Sequence, residues 1–155
     1  MKNAIQLSMF GVSEIELTYK SKVPPSQRTK ISCSRDAFNL LKENWNSGTL
    51  DYYEEFKILL MNRSNAVLGI LAVSKGGISG TVTDVRIILQ AALKSNASGL
   101  IVCHNHPSGN LNPSESDNKI TQKIKEAGNI MDIQLLDHLI ITEEDYYSFA
   151  DNGLL

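Results

Sequence analysis

Four apolar residues, Leu100 to Cys103, run without a break into His104-Asn105-His106, and no other stretch restricts the chain as much. A short apolar run of this kind reads as a strand buried on both faces. Side chains two apart on an extended segment project to the same side, so the strand end aims two imidazoles at one point. The chain holds only three histidines, and two of them are here. A loop shaped by Pro107, Gly109 and Pro113 follows. Ser114-Glu115-Ser116-Asp117 then opens a helix, with Ser114 at the N-cap and Asp117 at N3. Asp117 shares a helical stripe with Ile120 and Ile124, which turns its carboxylate inward, toward the strand end.

Two neutral imidazoles and one carboxylate suit zinc, one ion per chain, and three protein ligands leave a fourth position for water. A closed structural site normally has a fourth protein ligand, often Cys. Cys103 is adjacent, but alternation turns it to the opposite side from His104. Zinc lowers the pKa of bound water to about 7, so a nearby carboxylate can take its proton. The candidate bases are Glu54 and Glu55, at the start of another apolar strand. Glu54 shares a face with Phe56, Ile58 and Leu60, whereas Glu55 shares one with Lys57. Glu54 is therefore chosen, since an inward carboxylate at a strand end is desolvated as a general base requires.

The rest of the pattern is mixed α and β. Ile15, Leu17 and Tyr19 alternate with polar neighbours like a half-buried strand over 14–20, which as an edge would offer pairing to another chain. Pro24 and Pro25 end it. Ser34 reads as the N-cap of a short helix with Phe38, Leu41 and Trp45 on one face and Gly48 at its end. Phe56 to Met61 and Ala66 to Val73, around Asn62-Arg63-Ser64-Asn65, predict a β-hairpin. The Ser74-Lys75-Gly76-Gly77 turn predicts a third strand from Ile78 to Val82. Asp84 caps a helix in which Val85, Ile88, Leu89 and Ala92 recur. The helix from Ser114 ends near Gly128, and two apolar segments, Ile133 to Leu136 and Leu139 to Ile141, finish the sheet. Glu143-Glu144-Asp145 reads as a solvated loop or helix start. The fold class is α/β, a mixed β-sheet flanked by helices.

At 155 residues the chain suits one domain, 1–155, with a core large enough to fold without a structural metal. A formal net charge of −2 and the lack of a Lys/Arg patch count against unassisted DNA or RNA binding. Cys33 and Cys103 form no C-x-x-C pair, which predicts a reduced, cytoplasmic protein with buried thiols. No run has the apolar length of a membrane span.

His104-Asn105-His106-Pro107-Ser108-Gly109, then Pro113-Ser114 and Asp117, resembles the JAMM (MPN-plus) metal signature, and specifically its bacterial RadC branch. So do Gly80-Thr81, the helix from Arg86 to Leu93, and Leu136-Asp137-His138-Leu139-Ile140-Ile141. The resemblance covers roughly residues 50 to 155 and leaves 1–50 as a divergent extension. It implies the JAB/MPN fold, related to the cytidine-deaminase architecture, and the activity of a zinc peptidase or isopeptidase. It also implies His104, His106 and Asp117 as ligands, Glu54 as general base, and Ser114 as stabiliser of the oxyanion. Two features depart from the branch. Residues 1–50 are too short and strand-like for its helix-hairpin-helix DNA-binding module, and its His-Pro-Arg segment reads Asp84-Val85-Arg86 here.

Plainer readings stand beside these. Ser before a helix is ordinary capping, and Cys103 is a small core residue. Gly80 is a strand glycine that often marks only a bulge. His138 beside Asp137 is either a pair supporting the site or, as is more usual, a structural one. The favoured function is a zinc-dependent amidohydrolase acting on a peptide or protein. The alternative is a DNA-repair-associated accessory or binding module without turnover. Oligomeric state, substrate, and zinc against another divalent metal are left open by the residues.

Overall fold

A computed structural model describes residues 11, 15, 16, 18–76 and 82–155. Five strands form one sheet: β1 (Glu55–Met61), β2 (Val67–Lys75), β3 (Gly99–Asn105), β4 (Gln134–Ile141) and β5 (Tyr146–Ser148). Their spatial order is β2-β1-β3-β4-β5. The β1–β2, β1–β3 and β4–β5 pairs are antiparallel, and β3–β4 is parallel. Three helices, α1 (Ser34–Glu43), α2 (Val85–Lys94) and α3 (Glu115–Ile130), cover the sheet.

The alternation along each strand separates two cores. Leu59, Met61, Ile101, Cys103, Leu139 and Ile141 pack with Phe38, Leu41 and Trp45 from the α1 side. Phe56, Ile58, Leu60, Leu100, Val102 and Leu135 pack with Val85, Ile88 and Ala92 of α2 and Ile124 of α3. Central strands β1 and β3 are buried along their whole length, as continuous apolar runs predict.

The hairpin forms as expected. Asn62 Oδ1 accepts from the amides of Ser64 and Ala66, and Asn65 takes φ 55°, a conformation Asn tolerates. Asp84 caps α2 by accepting from the Arg86 amide at 2.9 Å. Its carboxyl, hydrogen-bonded by Arg86, is held down to about 2.

Several boundaries differ from the expectations. Ser34 is the first residue of α1 rather than its cap, and Cys33 holds the N-cap position without a side-chain bond. The Ser34 hydroxyl instead lies 2.9 Å from Tyr146 Oη and 2.5 Å from Asp151 Oδ2. Cys33 is exposed, unlike the buried Cys103. Asn44, not Gly48, closes α1, its Nδ2 donating to the Leu40 carbonyl. Ser74 and Lys75 prolong β2 instead of turning. The segments predicted over 133–136 and 139–141 merge into one strand, β4, which leaves Ile133 just outside; the intervening Asp137 and His138 are buried and hydrogen-bonded within it. Residues 143–145 lead into β5, not into a helix. The predicted strand over 78–82 lies outside the described residues except for Val82, which is 93% exposed. Of the segment 14–20, residues 15, 16 and 18–20 are described, and none of these is in a strand.

Among the described glycines, the one at the α3–β4 junction has the least room for a side chain. A Cβ on Gly128 would sit 2.4 Å from the Ile133 carbonyl oxygen. Replacing a helical glycine by alanine normally gains roughly 0.5–1 kcal/mol, but here the added methyl meets backbone that cannot swing away. Gly128→Ala is therefore expected to destabilise by about 1–3 kcal/mol, lowering Tm by roughly 3–10 °C. Thermal melting monitored by circular dichroism measures this, and an unchanged or raised Tm would refute the tight contact.

Candidate metal centre

Parallel pairing of β3 and β4 sends the chain through α3, so the start of α3 returns to the end of β3. The Ser114 hydroxyl accepts from the Asp117 amide at 3.1 Å, and Asp117 Oδ2 accepts from the Ser114 amide at 2.7 Å. This is the predicted capping box. It turns the Asp117 carboxylate back toward the strand. Phe56 stands opposite His104 in the β1–β3 register, and their rings lie parallel with centroids 6.0 Å apart.

His104 Nε2 and His106 Nε2 are 2.9 Å apart. Asp117 places Oδ1 3.1 Å from the first and Oδ2 3.7 Å from the second. One potential ligand atom from each residue lies within 4.8 Å of the others, and among the described residues this His-His-Asp group has three members. His104 is buried, and His106 and Asp117 are half-buried at the mouth.

The donor chemistry fits a divalent metal. His106 Nδ1 lies 2.5 Å from the Asn110 carbonyl oxygen, which can only accept, so Nδ1 carries a hydrogen and Nε2 is the ring atom turned to His104 and Asp117. Burial pushes the Asp117 carboxyl up, but the nearby His104 ring and the two Ser114 donors outweigh it and hold it well below the usual carboxylate range. An ionised carboxylate beside imidazole nitrogens is what zinc or a similar borderline ion needs.

The other expected residues take distinct places. Glu54 lies just before β1, half-buried, with its carbonyl accepting from the Gly76 amide at 2.8 Å. Glu55 is buried on the opposite face, 3.5 Å from Lys57 Nζ, which in turn sits 3.9 Å from the Trp45 ring centroid. The Ser114 hydroxyl accepts the capping bond from the Asp117 amide and donates to Asp117 Oδ2 at 2.6 Å. Gly80 and Thr81 fall outside the described residues.

Two features escaped the sequence reading. Asn105, between the histidines, faces the other side of the sheet and is fully buried. Its Oδ1 accepts from the Glu55 amide at 2.7 Å, and its Nδ2 donates to the carbonyls of Leu50 at 2.6 Å and Tyr53 at 2.9 Å. Asn105 thus staples the segment carrying Glu54 to the strand carrying the histidines. Only its position between two candidate ligands pointed to it. The second feature is the environment of His138. Asp137 accepts from the His138 amide and not from its ring, and Ser148 and Ala150 donate to the same carboxylate. The ring lies instead against His104 and Thr121. Burial pushes its pKa well below the usual imidazole value, so it stays neutral.

With this geometry in hand, the family follows. A model of the RadC-like JAB domain matches residues 31–154, and the chain belongs to that family. The match takes in α1 as well as the sheet. The chain is 53% identical over 125 residues to a UPF0758 protein of Flavobacterium johnsoniae, covering 81% of this chain and 53% of the relative. It is 45% identical over 103 residues to one from Porphyromonas gingivalis, 66% of this chain and 45% of the relative. A third, from Clostridium beijerinckii, is 40% identical over 147 residues, 95% of this chain and 63% of the relative. The chain thus spans about half to two thirds of the length of these curated relatives. Among the described residues, no helix is long and apolar enough to cross a membrane.

Protein purified without chelators is expected to carry about one zinc per chain, lost in a His104→Ala/His106→Ala double variant; elemental analysis decides. Asn105→Ala orphans buried backbone groups at about 1–3 kcal/mol each. It should therefore lower unfolding free energy by about 3 kcal/mol or more, read from urea denaturation.

Proposed function

We propose that this domain is a zinc-dependent hydrolase cleaving an amide bond in a peptide or isopeptide linkage. Three ligand atoms gathered at the open end of a strand, with no fourth protein ligand in the group among the described residues, carry the proposal. Family membership supports it. A zinc ion held by His104, His106 and Asp117 supplies Lewis acidity and acidifies water to a pKa of about 7.

Glu54, just before β1, would take the proton from that water as it attacks the carbonyl carbon. It returns the proton to the departing nitrogen. The Asn105 staple holds its segment against the strand that bears the ligands. Ser114, at the start of α3 beside Asp117, would turn its hydroxyl hydrogen to the substrate carbonyl and steady the oxyanion. The exposed residues 108–110 and 112 beside the ligands belong to the loop that meets a peptide or protein substrate.

Glu54→Gln keeps the charge-independent shape and all three ligands. It is expected to retain the metal while lowering turnover of a peptide or isopeptide library by at least 100-fold, roughly the share of a general base. Equal metal loss in Glu54→Gln and His104→Ala would overturn the assignment of Glu54. A zinc-loaded wild type that cleaves nothing in either library would leave a metal-carrying binding module.

A further inference from the structure

Behind His104, on the side away from Asp117, a hydrogen-bonded column runs into the core. His104 Nδ1 lies 2.8 Å from His138 Nε2, and His138 Nδ1 lies 2.6 Å from Thr121 Oγ1. All three residues are buried. Thr121 Oγ1 also lies 2.5 Å from the main-chain oxygen of Asp117, one helical turn back.

Counting hydrogens gives the column a direction. A carbonyl oxygen only accepts, so the single hydroxyl hydrogen of Thr121 goes to Asp117. Thr121 then has only lone pairs to offer the ring, and His138 Nδ1 must be the donor. A ring whose one hydrogen sits at Nδ1 has none at Nε2, and this ring is buried and stacked on Phe149 at 4.7 Å. Its Nε2 is therefore an acceptor, and His104 Nδ1 donates to it. His104 Nε2 then has its lone pair to offer a metal at the point shared with His106 and Asp117, in place of its present contact with Asp117 Oδ1 at 3.1 Å. The opposite direction would place a hydrogen on Nε2, where a metal has to bind.

We infer that Thr121 and His138 are positioning residues for the metal: a buried relay that holds His104 in its Nδ1–H form, so that Nε2 is always presented as a ligand. The relay starts at the carbonyl of Asp117, so the backbone of one ligand sets the ring state of another. Hydrogen bonds behind ligating histidines fix tautomer and ring orientation in this way, and losing one typically weakens metal binding by about 10–100-fold. The inference rests on the proposed metal site.

The test measures zinc affinity by chelator competition for wild type, Thr121→Val, Thr121→Ser and His138→Phe, with circular dichroism to confirm folding. Thr121→Val keeps the shape and removes the hydroxyl; Thr121→Ser keeps the hydroxyl and removes a methyl. The relay predicts binding weakened by about 10–100-fold in Thr121→Val and His138→Phe, and wild-type binding in Thr121→Ser. Packing alone predicts the reverse order for the two threonine variants. Ring ¹⁵N NMR of the zinc-loaded wild type is expected to show His138 protonated at Nδ1, a readout independent of any variant's folding. Wild-type affinity in both Thr121→Val and His138→Phe, a Thr121→Ser as weak as Thr121→Val, or His138 protonated at Nε2 would each overturn the inference. A wild type that binds no zinc would instead remove the metal site itself, and the relay with it.

Discussion

Parallel strands cannot be joined by a tight turn, so the pairing of β3 with β4 obliges the chain to leave the sheet and return through a crossover helix. That obligation creates the site. α3 begins where β3 ends, and its first turn carries Asp117 to the histidines at the strand terminus. β3 is also where the sheet changes character, antiparallel to β1 on one side and parallel to β4 on the other. Ligands of open α/β sheets commonly sit beyond the carboxyl ends of the strands, and the His-His-Asp cluster lies at that end of β3. The same strand sends Asn105 to the opposite face, where it ties down the approach to β1. Strand parity alone therefore divides labour between ligands and support.

The interior carries more polarity than an apolar core requires. His104, Asn105, Thr121, Asp137 and His138 are all buried in or beside the two central strands. Each is held by specific partners, and this is what makes their burial tolerable, since an unpaired buried polar group costs about 1–3 kcal/mol. Asp137 shows the balance. Burial pushes its carboxyl up despite three hydrogen bonds from Ser148, Ala150 and His138 that pull the other way. Its service is structural: it pins the end of β5 to the middle of β4, and Phe149, next along, closes over the His138 ring.

Much of this was legible from residue order. Alternation at His104 and His106, the Ser114–Asp117 cap and the helical stripe through Ile124 predicted the His-His-Asp cluster that the fold brings together, because these are local rules acting over a few residues. The same alternation separated Glu54 from Glu55, and the structure puts Glu55 with Lys57 and Trp45 as that rule requires. What stayed hidden depends on distant neighbours. Three-residue β5 is too short to show a period, and it exists only because β4 lies beside it. Polar Asp137 and His138 made one strand look like two, since nothing local reveals that Ser148 and Thr121 wait to receive them. Thr121 itself looks like an indifferent helix residue until His138 is brought against it. Ser34 failed as a cap for a similar reason, its hydroxyl being drawn to Tyr146 and Asp151 from the far end of the chain.

The close approach of Gly128 to the Ile133 carbonyl bears on motion. Backbone touches backbone there, so α3 can neither slide along its axis nor lift from the sheet without breaking that contact. Its first turn is braced from within by the reciprocal bonds of Ser114 and Asp117. Close packing at one end and this internal brace at the other keep the carboxylate at a set spacing from the strand-borne imidazoles. Adaptation to differently shaped molecules at the entrance is thereby confined to the connecting loops. Those segments can drift in length and chemistry over generations without disturbing the geometry beneath them.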